Sequence, residues 1–191
     1  MHTCTARTIR IVVCTILVLL AAALRSHAEG LQRIRTTSRY LQTALSNATE
    51  KSPTLQSIVQ RIAASNVIVY VTCERFASST LSGRTMWAEA NREARYLRVQ
   101  VDCMLPSPQF VAILGHELQH VAEVADTLDV VDSRSFAKLF QAIGYMTCHA
   151  AEQFETDGAV NAGERVRQEV LYRWPVGARV VANARTGVPA Q

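Results

Sequence analysis

Between residues 96 and 126 the hydrophobic pattern changes period, and this switch restricts the chain to a mixed fold. Leu97, Val99, Val101 and Cys103 alternate with Tyr96, Arg98, Gln100 and Asp102, the period-two signature of a strand with one buried face. Ser107-Pro108 then supplies an N-cap and first-turn pair, and apolar residues recur at helical spacing to about Asp126. Val67 to Cys73 is a β-branched run that reads as a strand buried on both faces. Arg84 to Ala90 is a weaker strand, which Asn91-Arg92-Glu93 could turn into a hairpin with residues 95–103. Residues 31–46 and 54–64 carry helix-like spacing on either side of the breaker Lys51-Ser52-Pro53. Asp132 or Ser133 opens a further helix ending near Gly144, and another follows from about Thr147 to Tyr172. Helices, strands, then helices, with no βαβ alternation, predict an α+β domain.

The first 28 residues predict a secretory signal. Arg7 and Arg10 form a positive leader, Ile11 to Leu24 is apolar apart from Cys14 and Thr15, and Ser26-His27-Ala28 is a small-residue cleavage site. An apolar run of 14 residues is too short to span about 30 Å of hydrocarbon at a rise of about 1.5 Å per residue. The expectation is therefore a periplasmic or secreted protein with no membrane association after cleavage. Its domain occupies residues 29–172, and residues 173–191, with Pro175, Gly177, Gly187 and Pro189, form a loose tail.

Composition narrows the partners. Of 191 residues, 49% are hydrophobic and 19% charged, which excludes a disordered chain and suits one domain with its own core. Without Arg7, Arg10 and Arg25 the charge comes close to balance, so no electrostatic footprint for nucleic acid remains. Cys4 and Cys14 leave with the signal. Cys73, Cys103 and Cys148 stay, an odd number that permits at most one intrachain disulfide and matches no zinc-ribbon or redox spacing.

The chemistry is concentrated in Gly115-His116-Glu117-Leu118-Gln119-His120, a His-Glu-x-x-His motif inside the helix opened by Ser107-Pro108. Residues four apart leave one helix face about one turn apart, so the imidazoles of His116 and His120 can converge on a single ion. Glu117 is rotated by about 100° from His116 and can reach a metal-bound water without itself becoming a ligand. Zinc at such a site polarises a carbonyl and makes water nucleophilic near neutral pH, while a carboxylate accepts its proton. The alternative of a helical-bundle di-iron site needs a second Glu-x-x-His, which the chain lacks. Glu123 shares the histidines' face but lies too far along the axis from His116 for the same coordination sphere. It is either an acceptor for one of the histidines or a buried structural acid. His149 and Tyr145 are candidates for stabilising an oxyanion, or are a helix-start histidine and a packed loop tyrosine. Gly115 either admits a close-approaching strand or is a glycine tolerated by packing.

The motif, the strand before it and the helices after it resemble the zincin metallopeptidases. Ile113 to Glu123, together with Phe154-Glu155-Thr156-Asp157, resembles a family of secreted bacterial gluzincin-like proteins over roughly residues 65–170. The resemblance implies a zincin-like fold, with a small β-sheet packed against the motif helix and a following ligand helix. It also implies zinc held by His116, His120 and a glutamate of the later helix, with Glu117 as general base. The strand at 96–103 would border the cleft and pair with an extended peptide. No His-x-x-Gly-x-x-His extension exists, which excludes the metzincin branch. The aspartate that gluzincins often carry four residues after the ligand glutamate is also missing, for Ala159 follows Glu155 at that spacing.

A third protein ligand is expected beside the two histidines. Glu152, Glu155, Asp157 and Glu164 are the candidates on the helix read from Thr147. With Glu155 as reference, Ala159, Ala162, Val166 and Val170 share its face, while Asp157 and Glu164 point away to solvent and Glu152 is the rival. The resemblance at 154–157 favours Glu155. The functional expectation is a secreted zinc metallopeptidase acting on peptides or proteins. The other reading is a non-catalytic zincin-fold module that binds zinc or a partner.

Overall fold

Serines open two consecutive helices. Ser38 caps α1 (Arg39–Lys51) by accepting from the Leu41 amide. Ser52 ends that helix, donating its own amide to Ala48, and caps α2 (Pro53–Ala63), whose first position is Pro53. In this computed structural model residues 32–77, 81–146 and 154–173 are described. The expected signal, Cys148, His149, Glu152 and residues 174–191 lie outside them. The helical spacing read over 31–46 is interrupted, because Ile34–Arg35 forms a short strand, β1, before α1 begins.

The remaining elements are β2 (Val67–Cys73), β3 (Gly83–Ala90), β4 (Arg95–Val101), α3 (Ser107–Asp126), α4 (Ser133–Ile143), β5 (Tyr145–Met146), β6 (Phe154–Glu155) and α5 (Asp157–Arg173). The α+β class holds. One sheet runs in the order β1-β2-β4-β3, with β1-β2 and β2-β4 parallel and β3-β4 antiparallel, and β5 pairs with β6 in a second. The α1–α2 pair makes a crossover between the parallel strands β1 and β2, a connection not anticipated from the spacing. The expected hairpin forms through Asn91, whose side-chain oxygen accepts from the amides of Glu93 and Ala94.

Val67, Val69, Val71, Leu97, Val99 and Val101 form the inward face of the sheet and join Phe110, Leu114, Leu118 and Val121 of α3 in the core. The other face is partly open, with Tyr70, Thr72 and Arg98 exposed, so β2 is not covered on both sides along its length. Ser107 is the first residue of α3 and not its cap. Pro106 stands at the cap, and its carbonyl receives the Phe110 amide.

Helices α3 and α5 pack closely at two glycines. A Cβ on Gly115 would lie 2.9 Å from a Val166 methyl, and one on Gly163 only 3.1 Å from the Ala112 carbonyl. Gly115 therefore admits α5 and not a strand. Glu169, near the far end of α5, accepts from the Ser52 hydroxyl and from the amide and hydroxyl of Thr54. This places a carboxylate at the positive end of α2, where the free amides favour it.

Cys73 and Cys103 form a disulfide, with their Cα atoms 5.4 Å apart, closing the segment that contains the β3–β4 hairpin. With the partners 30 positions apart in sequence, the chain-entropy relation gives about 3–4 kcal/mol of stabilisation. The Cys73→Ser/Cys103→Ser double variant is expected to lose about that much in equilibrium denaturant unfolding. An unchanged midpoint with an unchanged denaturant slope would show that the cross-link contributes no net stability.

Candidate metal centre

Both motif histidines stand on α3 and line a cleft of about 1000 Å³. His116 and His120 are four residues apart, and their rings meet edge to face with centroids 5.0 Å apart. The third donor arrives from outside the helix. Glu155 Oε1 lies 3.1 Å from His116 Nε2 and 3.3 Å from His120 Nε2. Candidate ligand atoms of the three residues all lie within 4.8 Å of one another. Ligand atoms about 2.0–2.1 Å from a tetrahedral zinc ion stand about 3.4 Å apart. The two nitrogen–oxygen separations therefore suit a shared ion as well as they suit hydrogen bonds. The group can hold a metal ion, and its two imidazoles and one carboxylate are a donor set that zinc accepts.

Glu155 does not sit on the helix from which its register was read. That helix begins at Asp157, after Thr156 accepts the Ala159 amide on its hydroxyl. Glu155 lies in β6, opposite Tyr145 of β5. The stripe drawn from it is nonetheless the packed face of α5, since Ala159, Ala162, Val166 and Val170 are all buried. Both readings agree because the helix starts only two residues after the glutamate. Gly144 lets the short hairpin close, for a Cβ there would stand 2.6 Å from the Glu155 carbonyl and 2.7 Å from that of Phe140. Asp157 is exposed, and Glu164 is an exposed partner of Arg167. Tyr145 is half exposed, and the cleft wall is formed by its neighbour Met146.

Glu117 is buried on the cleft side of α3, facing β3. Its Oε2 accepts from the Thr85 hydroxyl at 2.8 Å, and Gly83 leaves room for Oε1, since a Cβ there would lie 2.6 Å from it. Neither Gly83 nor Thr85 was singled out in the sequence. The available signal was a glycine opening a weak strand, which marks a close approach. Strand β3, not β4, borders the cleft. β4 is bonded to β2 on one side and to β3 on the other, so its backbone cannot accept a further strand. Across the cleft, Phe136 and Phe140 of α4 meet edge to face, Trp87 of β3 packs tilted against Phe136, and Phe140 meets the His120 ring edge to face at 5.2 Å.

Without an ion between the groups, the electrostatics are those of a charged cluster in a low-dielectric pocket. Burial pushes the Glu117 carboxyl above its ordinary range, against the opposing pull of His116, His120 and the Thr85 hydroxyl. Burial also disfavours charge on His120, but hydrogen bonds to Glu123 and Glu155 outweigh it and raise the pKa to about 9. Burial acts against the Glu155 carboxylate too, and hydrogen bonds from the two histidines overcome it, lowering the pKa to about 2. Glu123 Oε2 lies 3.0 Å from His120 Nδ1, so Glu123 meets the histidine on the ring atom turned away from Glu155.

Comparison of the chain with protein-family models, curated proteins and solved structures finds no match.

Proposed function

We propose that the chain is a secreted, zinc-dependent metallopeptidase of zincin-like architecture. The observation that carries this reading is the convergence of His116 Nε2, His120 Nε2 and Glu155 Oε1, beside the buried carboxylate of Glu117 in an open cleft. His116, His120 and Glu155 would hold the ion, three protein ligands being the usual complement of a catalytic zinc. Bound zinc supplies Lewis acidity to a peptide carbonyl and lowers the pKa of water. Glu117, held by the Thr85 hydroxyl, receives the proton of the attacking water and passes it to the leaving amine.

Among the described residues β3 is the edge strand beside the cleft, and an extended peptide can add to it as a further strand. The disulfide supports an oxidising compartment, periplasmic or extracellular, in keeping with the expected removal of residues 1–28. Among the described residues no helix is long and apolar enough to cross a membrane.

The test is zinc content measured beside chelator-sensitive hydrolysis of an unfolded protein. Glu117→Gln is expected to keep the metal and lose roughly 10²–10⁴-fold in turnover. Wild-type turnover in Glu117→Gln would refute the assigned base. Zinc bound by the wild type without any turnover would make the chain a non-catalytic metal-binding module.

A further inference from the structure

The ligands proposed above come from two separate elements, and the Glu123 carboxylate contacts both His120 and the residue that follows Glu155. Glu123 receives His120 at Oε2, while its Oε1 accepts the Thr156 hydroxyl at 2.8 Å. Thr156 is the residue after Glu155, and its own amide donates to Glu155 Oε1 at 3.0 Å. Its hydroxyl oxygen also accepts the Ala159 amide, capping α5, so the hydroxyl proton is committed to Glu123. A hydrogen-bonded path thus runs from the His120 ring through Glu123 and Thr156 to the Glu155 carboxylate.

The surroundings hold this path in place. Thr156 is 2% exposed and the Glu123 side chain 11%. Gly158 leaves space for the carboxylate, as a Cβ there would lie 2.7 Å from Glu123 Oε1. Gln119 adds a third contact to the carboxylate, donating to Oε1 at 3.3 Å, and is itself held by Arg61. An Nδ1 proton held by Glu123 would leave Nε2 as the ring atom that gives up its proton to bind a metal.

We propose that Glu123 and Thr156 are positioning residues that lock the motif helix to the segment carrying Glu155, so that metal affinity depends on their mutual hydrogen bond. The inference rests on the metal-centre reading above. Neither residue touches the ion. Glu123 fixes the orientation of one ligand, and Thr156 fixes the reach of another.

The experiment is a competitive zinc titration of the purified protein and its variants, with the absorption spectrum of the cobalt-loaded forms recorded in parallel. Glu123→Gln is expected to weaken zinc binding 10–100-fold, the range for losing a ligand's hydrogen-bonding partner. Thr156→Val is expected to weaken it about tenfold and to shift the cobalt spectrum. Thr156→Ser, which keeps the hydroxyl, should retain both at wild type. The disulfide-free double variant serves as a destabilised comparator and should bind zinc as wild type does. Wild-type affinity in Glu123→Gln and Thr156→Val would overturn the lock while leaving the metal centre intact. An equal loss in the comparator would also overturn it, by tracing the effect to general loosening. A wild-type protein that binds no zinc would overturn the metal centre and the lock together.

Discussion

Glu155→Ala is expected to abolish stoichiometric zinc binding, weakening it by at least about 100-fold, beyond the range for removing only a ligand's hydrogen-bonding partner. In the variant two imidazoles remain on one helix, and two histidines rarely retain a catalytic zinc. The loss should come without unfolding, because the Thr156 hydroxyl still caps α5 and Glu123 still holds His120. A competitive titration against a chromophoric chelator, with far-ultraviolet circular dichroism as the folding check, reads both quantities. Glu152→Ala is the companion variant and should bind as wild type does. Loss in Glu152→Ala alone would move the third ligand into the segment before β6. Unchanged affinity in both would leave the histidines without an acidic ligand from this part of the chain.

The second large effect lies at the far end of the motif helix. Arg95, at the start of β4, is 3% exposed and has no carboxylate partner among the described residues. Its guanidinium donates to the carbonyls of Val124, Ala125, Thr127 and Val130, and its Nε–H to the Asn66 side chain. These carbonyls belong to the last turn of α3 and the loop beyond it; those of Val124 and Thr127 also receive an amide, from Thr127 and Val130, whereas Arg95 is the donor to Ala125 and Val130. The negative end of the helix dipole favours the cation. Burial pushes the Arg95 pKa below its ordinary value. Arg95→Ala takes a donor from all four carbonyls, leaves those of buried Ala125 and Val130 unsatisfied and strands the Asn66 side-chain oxygen, and each unsatisfied group costs roughly 1–3 kcal/mol. Some water entry offsets the sum, and the expected loss is about 3–5 kcal/mol. Against a total stability of about 5–15 kcal/mol, this is enough to leave part of the population unfolded. Arg95→Lys should recover little, since an ammonium carries three donors and no planar fork. Equilibrium unfolding in denaturant measures the change. A midpoint within error of wild type for Arg95→Ala would mean that water satisfies the end of α3 without Arg95.

The long periodic elements were legible because their patterns are local. The alternation of β4 and the apolar spacing of α3 each reflect one buried face, and a face is written into consecutive residues. His116 and His120 were legible for the same reason, since i and i+4 on a helix are neighbours whatever surrounds them. β1, β5 and β6 were not legible. Two-residue strands have no period, and each exists only because another backbone lies alongside.

The same division explains the two displaced expectations about the site. The alternation of β4 shows which face is buried but not which strands flank it. The hairpin places β4 between β2 and β3, and this gives the cleft edge to β3. Glu155 was selected as a candidate on a helix, yet its carboxylate reaches the histidines from β6. Its position depends on contacts across the fold: the approach of Gly144, the Thr156 cap and the grip of Glu123.

By itself, then, the sequence determined the α+β class, the main helices and strands, and the pair of histidines with Glu117 between them, all consequences of spacing within one element. Only the tertiary structure decided which strand edges the cleft, how Glu155 reaches the histidines, that Cys73 pairs with Cys103, and that Arg95 closes the end of α3. Each of these joins residues from separate elements, and their distance in space is set by packing, which no local period records.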